Sequence, residues 1–459
     1  MSPPALPQDK AAQFKVLFDT LSQRGNFNGC VLIAERGKIL HQEAYGTANV
    51  DTRRLLTNQT VFELASISKT FTSLAVVQLK EKGLLSYGDS VRRFFPELPF
   101  PGVTIRHLLT NTSGIEDFLT WNEQQIDASR TYSNADLIQL LAKKGRPGFP
   151  PGTRFHYSNT NFALLASVIE KVSALPFADY LGKYIFKPGG MDHTRVLARN
   201  NKGLPADHAV DYSWDVSEQR YDRADQLKRY THYWSAIQGA YGIVSNIGDL
   251  YRWDQVLQSD LLVKRATLEE VMAMDYFPTS SQPVEMQPGI AYRAGWMFMA
   301  GTAKDSTWYT SGSYGNYNTL LVRKLTSGQT VILLTNYSES SPVMLIMDSI
   351  ENILEAGPPS FPPTLQLPRG IQLPVGQLNA LAGTYTDPEK AWPYLTLTLH
   401  GHRLYGKFSG SMEFILFPLS STAFTGATFE QRVILDSESP TKTLRLVGNG
   451  VEKRFQKRE

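Results

Sequence analysis

Ser66-Ile67-Ser68-Lys69-Thr70-Phe71-Thr72-Ser73-Leu74-Ala75-Val76-Val77-Gln78-Leu79 is the stretch on which the reading of this chain turns. It reads as a helix with a serine and a lysine three positions apart in its first turn, and residues at i and i+3 share a helix face. The Ser66 hydroxyl and the Lys69 amine are thereby set side by side, where the helix N-terminus favours negative charge developing near the serine. An adjacent amine that can take a proton is one way to activate serine, a weak nucleophile at its own pKa. The four-residue pattern alone decides little. Ser439-Pro440-Thr441-Lys442 repeats it in a proline-containing turn with no helix to align the pair.

Working outward, residues 9 to 24 carry Phe14, Leu17, Phe18 and Leu21 at helical spacing. Two strand-like runs follow, Cys30 to Glu35 and Lys38 to Tyr45, joined by an Arg36-Gly37 hairpin turn. From about 66 to 260 the pattern is mostly helical. Short strands return over 290 to 336, and Ser341 to Leu354 reads as a closing helix. Strands at both ends around a helical middle predict an α/β (α+β) domain, its antiparallel sheet completed by distant parts of the chain and flanked by helices. The cluster Gly357-Pro358-Pro359-Ser360-Phe361-Pro362-Pro363 cannot continue a helix or a central strand and reads as a semi-rigid linker. Beyond it Leu395, Leu397 and Leu399 alternate with Thr396, Thr398 and His400, the period of a half-buried strand. Turn-like pairs at Gly401-His402, Ser409-Gly410 and Gly448-Asn449-Gly450 suggest more short strands. The expected division is a catalytic domain over 1–356, a linker over 357–374 and a small antiparallel β domain, a barrel or a sandwich, over 375–459.

Two further signals lie downstream of Ser66. Tyr157-Ser158-Asn159 sits between the loop Pro150-Pro151-Gly152-Thr153-Arg154-Phe155-His156 and a helix beginning near Phe162, which Asn159 or Thr160 would cap. A tyrosine at a helix entry projects readily into a cleft, and ammonium groups nearby would favour its phenolate and let it act as a base. Thr310-Ser311-Gly312-Ser313 follows a strand expected over Ser306 to Tyr309 and precedes another over Thr319 to Val322. Glycine there would let a substrate backbone lie along a sheet edge.

This ordered set, SxxK then YxN then a short glycine motif on a late strand, resembles the serine β-lactamase and penicillin-binding-protein superfamily. More narrowly it is similar to the class C β-lactamase and esterase (D-aminopeptidase-like) branch. Val103-Thr104-Ile105-Arg106-His107-Leu108-Leu109-Thr110-Asn111-Thr112-Ser113-Gly114, Ile185 to Met191, Tyr241 to Leu250 and Ala294-Gly295-Trp296 fall in that branch's order, so the likeness spans roughly residues 15 to 350. The resemblance implies Ser66 as an acyl-forming nucleophile, with Lys69 and Tyr157 sharing its deprotonation and the later activation of water. It implies Asn159, Thr310, Ser311, Gly312 and Ser313 as substrate-binding residues, with Asn159 bonding either Lys69 or the substrate amide. The main-chain N–H groups of Ser66 and Ser313 would form the oxyanion hole. The C-terminal β-domain resembles the lipocalin-like appendage of some D-aminopeptidase and esterase relatives. Thr310 departs from the branch, which has His or Lys there. Asn316 replaces a usual Gly and Asn111 a usual His. A missing cation weakens recognition of a substrate carboxylate, so the expectation moves from a dedicated β-lactamase towards an esterase or an amidase, including D-amino-acid peptides. Its rivals are an acyltransferase of the same fold and a catalytically silent penicillin- or cell-wall-binding homologue.

Composition bounds the alternatives. The chain has 459 residues, 42% hydrophobic and 19% charged, and a formal net charge of +3, too small for its length to argue for nucleic acid. The single cysteine, Cys30, lies in an apolar run and reads as a buried small hydrophobe. His107, His156, His193, His208 and His232 are too scattered for metal-ligand spacing, and no Gly-x-Ser-x-Gly elbow supports a Ser-His-Asp triad, so neither metal nor organic cofactor is expected. Trp121, Trp214, Tyr233 and Trp234 are candidates either for an acyl pocket or for plain packing. The sequence has no run of about 18 apolar residues that would cross a membrane. Its start, Met1 to Pro7, lacks the basic and apolar regions of a secretory signal. The partner expected is a small-molecule or peptide acyl substrate. A homo-oligomer stays open, as does the compartment: periplasmic or secreted if a signal was removed, otherwise cytoplasmic.

Overall fold

The computed structural model describes residues 9–121, 126–127, 129–197, 205–215, 218–224, 232–274, 285–287, 290–299, 306–337, 340–357, 360–362, 367, 369–386, 395–400, 403–408, 413–426, 432–435, 443–448 and 451–458. The second SxxK stretch, Ser439 to Lys442, lies outside them, as do the expected turns at 401–402, 409–410 and 449–450 and the prolines 358, 359 and 363.

The chain divides into two units, one formed by 1–210, 231–337 and 341–362, the other by 211–230, 338–340 and 363–459. The first unit is built on an eight-stranded antiparallel sheet in the order 285–287, 290–293, 296–299, 307–314, 317–324, 329–335, 29–35, 38–45. The hairpin nearest the start of the chain thus completes a sheet made otherwise from the end of the unit, with Gly29 opposite Thr335 and Glu35 opposite Gln329. Alternation along the central strands divides the side chains between two cores. Val31, Ile33, Leu320, Val322, Val331 and Leu333 meet the helices Lys10–Gln23 and Val343–Leu354 on one face. Cys30, Leu32, Leu321, Ile332 and Leu334 face the larger helical core on the other.

The sequence expectations for this unit hold closely at its ends. Phe14, Leu17, Phe18 and Leu21 are buried on the helix Lys10–Gln23, and the Arg36-Gly37 turn has positive φ at both residues, as a two-residue hairpin of the right twist requires. In the middle the helix Ser68–Glu81 is buried from Ser68 to Leu79, polar residues included. Helices buried all round pack inside a domain rather than along its surface. Phe71 stacks on Trp253 there at 4.1 Å between ring centroids.

The second unit is a closed eight-stranded antiparallel barrel, running through 383–386, 395–400, 403–408, 413–418, 423–425, 432–435, 443–448 and 451–457. Closure comes from the first and last strands, with Tyr385 opposite Lys457. Leu395 and Leu397 point inward as their alternation predicted, beside Tyr385, Leu404, Leu416, Phe424, Leu444 and Phe455. The short helix Val375–Leu381 adds Leu378 and Leu381 to that core, so side chains fill the interior described here. The unit also takes in the hairpin Tyr212–Asp215/Arg220–Arg223, where Asp215 and Asp222 accept from Arg403. No local signal joins residues so far apart.

Candidate active site

Ser66 lies in a single turn of 3-10 helix, Ala65–Ile67, that runs straight into the buried helix Ser68–Glu81. Lys69, one turn on, is 1% exposed. Its Nζ lies 2.9 Å from Ser66 Oγ and donates to Asn159 Oδ1 at 2.8 Å and to the main-chain oxygen of Ala240 at 2.8 Å. Burial pulls the amine from its ordinary 10.5 down to about 7, against the opposing pull of the Asp117 carboxylate. In its neutral form, which that shift makes accessible near pH 7, the amine matches the three neighbours. Two are pure acceptors and take its two N–H bonds, while the lone pair is left for the serine proton.

Tyr157 reaches the same oxygen from 91 residues away, its phenol donating to Ser66 Oγ at 3.0 Å. It sits two residues before the helix Asn159–Ser173, so Ser158 holds the N-cap position expected of Asn159 or Thr160. The loop is clamped on both sides by Asn111. The Asn111 main-chain oxygen accepts from His156 N–H at 2.9 Å, and its Oδ1 accepts from Ser158 N–H at 3.2 Å and Asn161 Nδ2 at 2.7 Å. Asn111 holds a φ of +54°, which asparagine tolerates better than most side chains. The tyrosine ring packs edge-on to Tyr292 at 5.7 Å. Its phenol differs from the sequence expectation. Burial raises its pKa well above the usual tyrosine range, and the Asp117 charge pushes the same way. Only the hydrogen bond to Ser66 works the other way. Tyr157 is therefore a proton donor at rest, and Lys69 the better base.

Thr310 to Ser313 fall inside a strand rather than after one, since pairing continues from Thr307–Lys324 through Tyr314–Tyr317. Pairing to the strand Trp296–Met299 covers only Thr307 to Tyr309. Beyond it the strand runs beside the serine turn. A Cβ at Gly312 would stand 2.2 Å from the Leu64 carbonyl oxygen and 2.9 Å from Ala65 Cβ, so the missing side chain is what lets turn and strand meet. Thr310 shares that face of the strand and is 1% exposed, whereas Ser313 is exposed. Ser311 pairs with Leu320, which belongs to the core on the opposite face of the sheet. A second close approach, at Gly295 with φ +87°, brings that chain to within 2.9 Å of the Lys69 and Thr70 backbone for a Cβ built there.

Several residues at the site escaped sequence reasoning. Asp117 lies beneath Asn159 and accepts from its N–H at 3.1 Å and its Nδ2 at 2.8 Å. Only its place before the short helix Phe118–Thr120, whose Leu119 N–H it also accepts, could have signalled it. Glu63 is fully buried and accepts from Gly242 N–H at 3.0 Å, shaping the segment that presents the Ala240 oxygen. Main-chain carbonyls leave no trace in sequence. The aromatic candidates resolve towards packing. Trp121 and Trp234 are 1% exposed and meet edge-on at 5.8 Å, beside Phe118 and Tyr132. Trp214 packs on Tyr221 in the other unit.

Comparison with known proteins places this geometry in a family context. The Beta-lactamase family profile matches residues 14–349. Penicillin-binding protein 4* of Bacillus subtilis (strain 168) is 34% identical over 91% of this chain and 92% of its own length. An octameric penicillin-binding-protein homologue from Pyrococcus abyssi superposes with a TM-score of 0.63 at 21% identity, covering 97% of this chain and 99% of its own. The D-amino acid amidase of Ochrobactrum anthropi SV3 gives 0.60 at 20% identity, covering 74% of this chain and 97% of its own. At such identities these two structures speak to fold alone.

Proposed function

Since the chain belongs to the beta-lactamase family, we propose that it is a serine hydrolase that takes an acyl group onto Ser66 from a carboxylic ester or an amide and passes it to water. The observation that carries this reading is the convergence of Lys69 Nζ and Tyr157 OH on Ser66 Oγ, at 2.9 and 3.0 Å.

In the first half-reaction the Ser66 proton moves to Lys69 Nζ as Oγ bonds the acyl carbon. The main-chain N–H groups of Ser66 and Ser313 receive the oxyanion, an interaction worth several kcal/mol because it strengthens only as charge develops. Tyr157 gives its proton to the departing alcohol or amine and regains one from Lys69. In the second half-reaction Lys69 takes a proton from water as the water oxygen attacks the acyl carbon, and returns it to Ser66 Oγ as the Oγ–acyl bond breaks. The acid departs and the Ser66 hydroxyl is restored. Asn159 holds the lysine and, with the strand Thr310, Ser311, Gly312 and Ser313, flanks the acyl group. The buried, neutral Thr310 offers no cation for a carboxylate, which favours acyl donors without a carboxylate, simple esters and D-aminoacyl amides among them, over penicillins.

The direct test is covalent labelling followed by intact mass. A fluorophosphonate or an activated ester adds one acyl or phosphonyl group to the native chain and none to Ser66→Ala. Equal labelling of both would place the nucleophile elsewhere. A product burst with a nitrophenyl ester separates an enzyme from a silent homologue, and added alcohol or amine acceptors separate hydrolysis from transfer.

A further inference from the structure

The side-chain amide of Asn159 has two ends of nearly equal shape and opposite chemistry, and the base next to it needs one of them. Oδ1 faces Lys69, so the lysine spends an N–H on it. Were Nδ2 turned there instead, its N–H would compete with the Ser66 hydroxyl for the lysine lone pair, and the lysine would lose an acceptor. In its neutral, base-competent form Lys69 does not enforce the choice, because a neutral amine can both give and receive.

We infer that Asp117 is a positioning residue: its carboxylate lies behind Asn159 and, when ionised, accepts only, which fixes the Nδ2 end towards itself and the Oδ1 end towards Lys69. Burial raises its pKa, but the N–H groups aimed at it favour that ionised, acceptor-only form. Among the described residues, the hydrogen bonds to the Asp117 carboxylate come from N–H donors, those of Leu119, of the Asn159 main chain and of Asn159 Nδ2. The turn that carries it is locked to the same helix start. Thr160 Oγ1 donates to the Glu116 main-chain oxygen at 2.7 Å and accepts from Phe118 N–H at 3.0 Å. Asp117 therefore cannot shift without moving the helix that holds Asn159. Its charge has a second effect, opposing the burial that neutralises Lys69. The other titratable groups around the lysine are phenols held protonated, Tyr157 with its ring 5.1 Å from Nζ and Tyr292 behind it, and Glu63, which is turned to Gly242 N–H.

The inference rests on Lys69 being the base, and the test separates the two. In Asp117→Asn the new amide can donate as well as accept, so Asn159 is free to turn over and the negative charge is gone. Per titrated Ser66, kcat/KM on the alkaline plateau is expected to fall about tenfold or more. The acid limb, set by Lys69, is expected to move to lower pH. A merely structural role would lower the fraction of titratable enzyme and leave the limb in place. The swapped pair, Asp117→Asn with Asn159→Asp, restores a donor behind and an acceptor facing Lys69. It is expected to recover much of the plateau, with the acid limb moved to higher pH because a carboxylate now touches the amine. Should the single variant not fold, the swapped pair carries the test. A single variant with native plateau and limb, or a swapped pair no better than Asn159→Asp alone, overturns the inference. Full turnover in Lys69→Ala would instead remove the proposed chemistry itself.

Discussion

Replacing Lys69 by methionine keeps the unbranched stem and removes a charge that the fold desolvates, and the effect on stability depends on pH with a definite sign. The amine falls from 10.5 in the unfolded chain to about 7 in the folded one. Below pH 7 it is charged in both states, and the fold bears the whole cost of burying it. At ~1.4 kcal/mol per pKa unit, that cost is about 5 kcal/mol. As pH rises through 7 the folded protein releases the proton while the unfolded chain keeps it, so the cost shrinks, vanishing above the unfolded value. Between pH 7 and pH 9 the native protein should gain about 2 kcal/mol on Lys69→Met by the same linkage. The hydrogen bonds lost to Asn159 Oδ1 and Ala240 oxygen add a pH-independent offset, which the comparison across pH cancels. Urea unfolding followed by tryptophan fluorescence reads this well, because Trp121, Trp234, Trp253, Trp296 and Trp308 all lie in the unit that holds Lys69. A native-minus-variant difference that stays flat from pH 7 to 9 would mean the lysine keeps its ordinary pKa, and the neutral-base argument would fail with it.

Tyr157→Phe retains the ring packing on Tyr292 but removes the proton donor to the leaving group. Turnover should drop about 100-fold or more with the melting temperature nearly unchanged, and most strongly for poor leaving groups such as amides. Gly312→Ala must push the Leu64 carbonyl away from a Cβ that would sit at 2.2 Å. It should cost about 1–3 kcal/mol and most of the acylation rate, read by burst kinetics against denaturation. Arg323→Leu removes the charge partner of the fully buried Asp254 carboxylate, leaving Thr330 Oγ1, Gln255 Nε2 and Gln258 Nε2 as its donors, and should destabilise the first unit by about 3–5 kcal/mol in urea. A native-like midpoint for that variant would show that those neutral donors suffice.

The sequence by itself determined the local elements and which polar side chains stand as candidates for the site. Phe14, Leu17, Phe18 and Leu21 mark their helix by period, Arg36-Gly37 marks its turn by backbone freedom, and Leu395 and Leu397 mark a strand by alternation. These are properties of a few consecutive residues, so they survive without the rest of the chain. Ser66 beside Lys69 is legible for the same reason, being a helix-period contact. Only the tertiary structure decided how the groups are charged and oriented. Whether Tyr157 is a phenol or a phenolate depends on how deeply it is buried and on the Asp117 charge. Whether Asn159 shows oxygen or nitrogen to Lys69 depends on Asp117, 42 residues earlier. Why residue 312 has no side chain depends on a carbonyl at Leu64. Desolvation and close approach are sums over everything that packs around a group, and that environment comes from segments the chain brings together only when it folds.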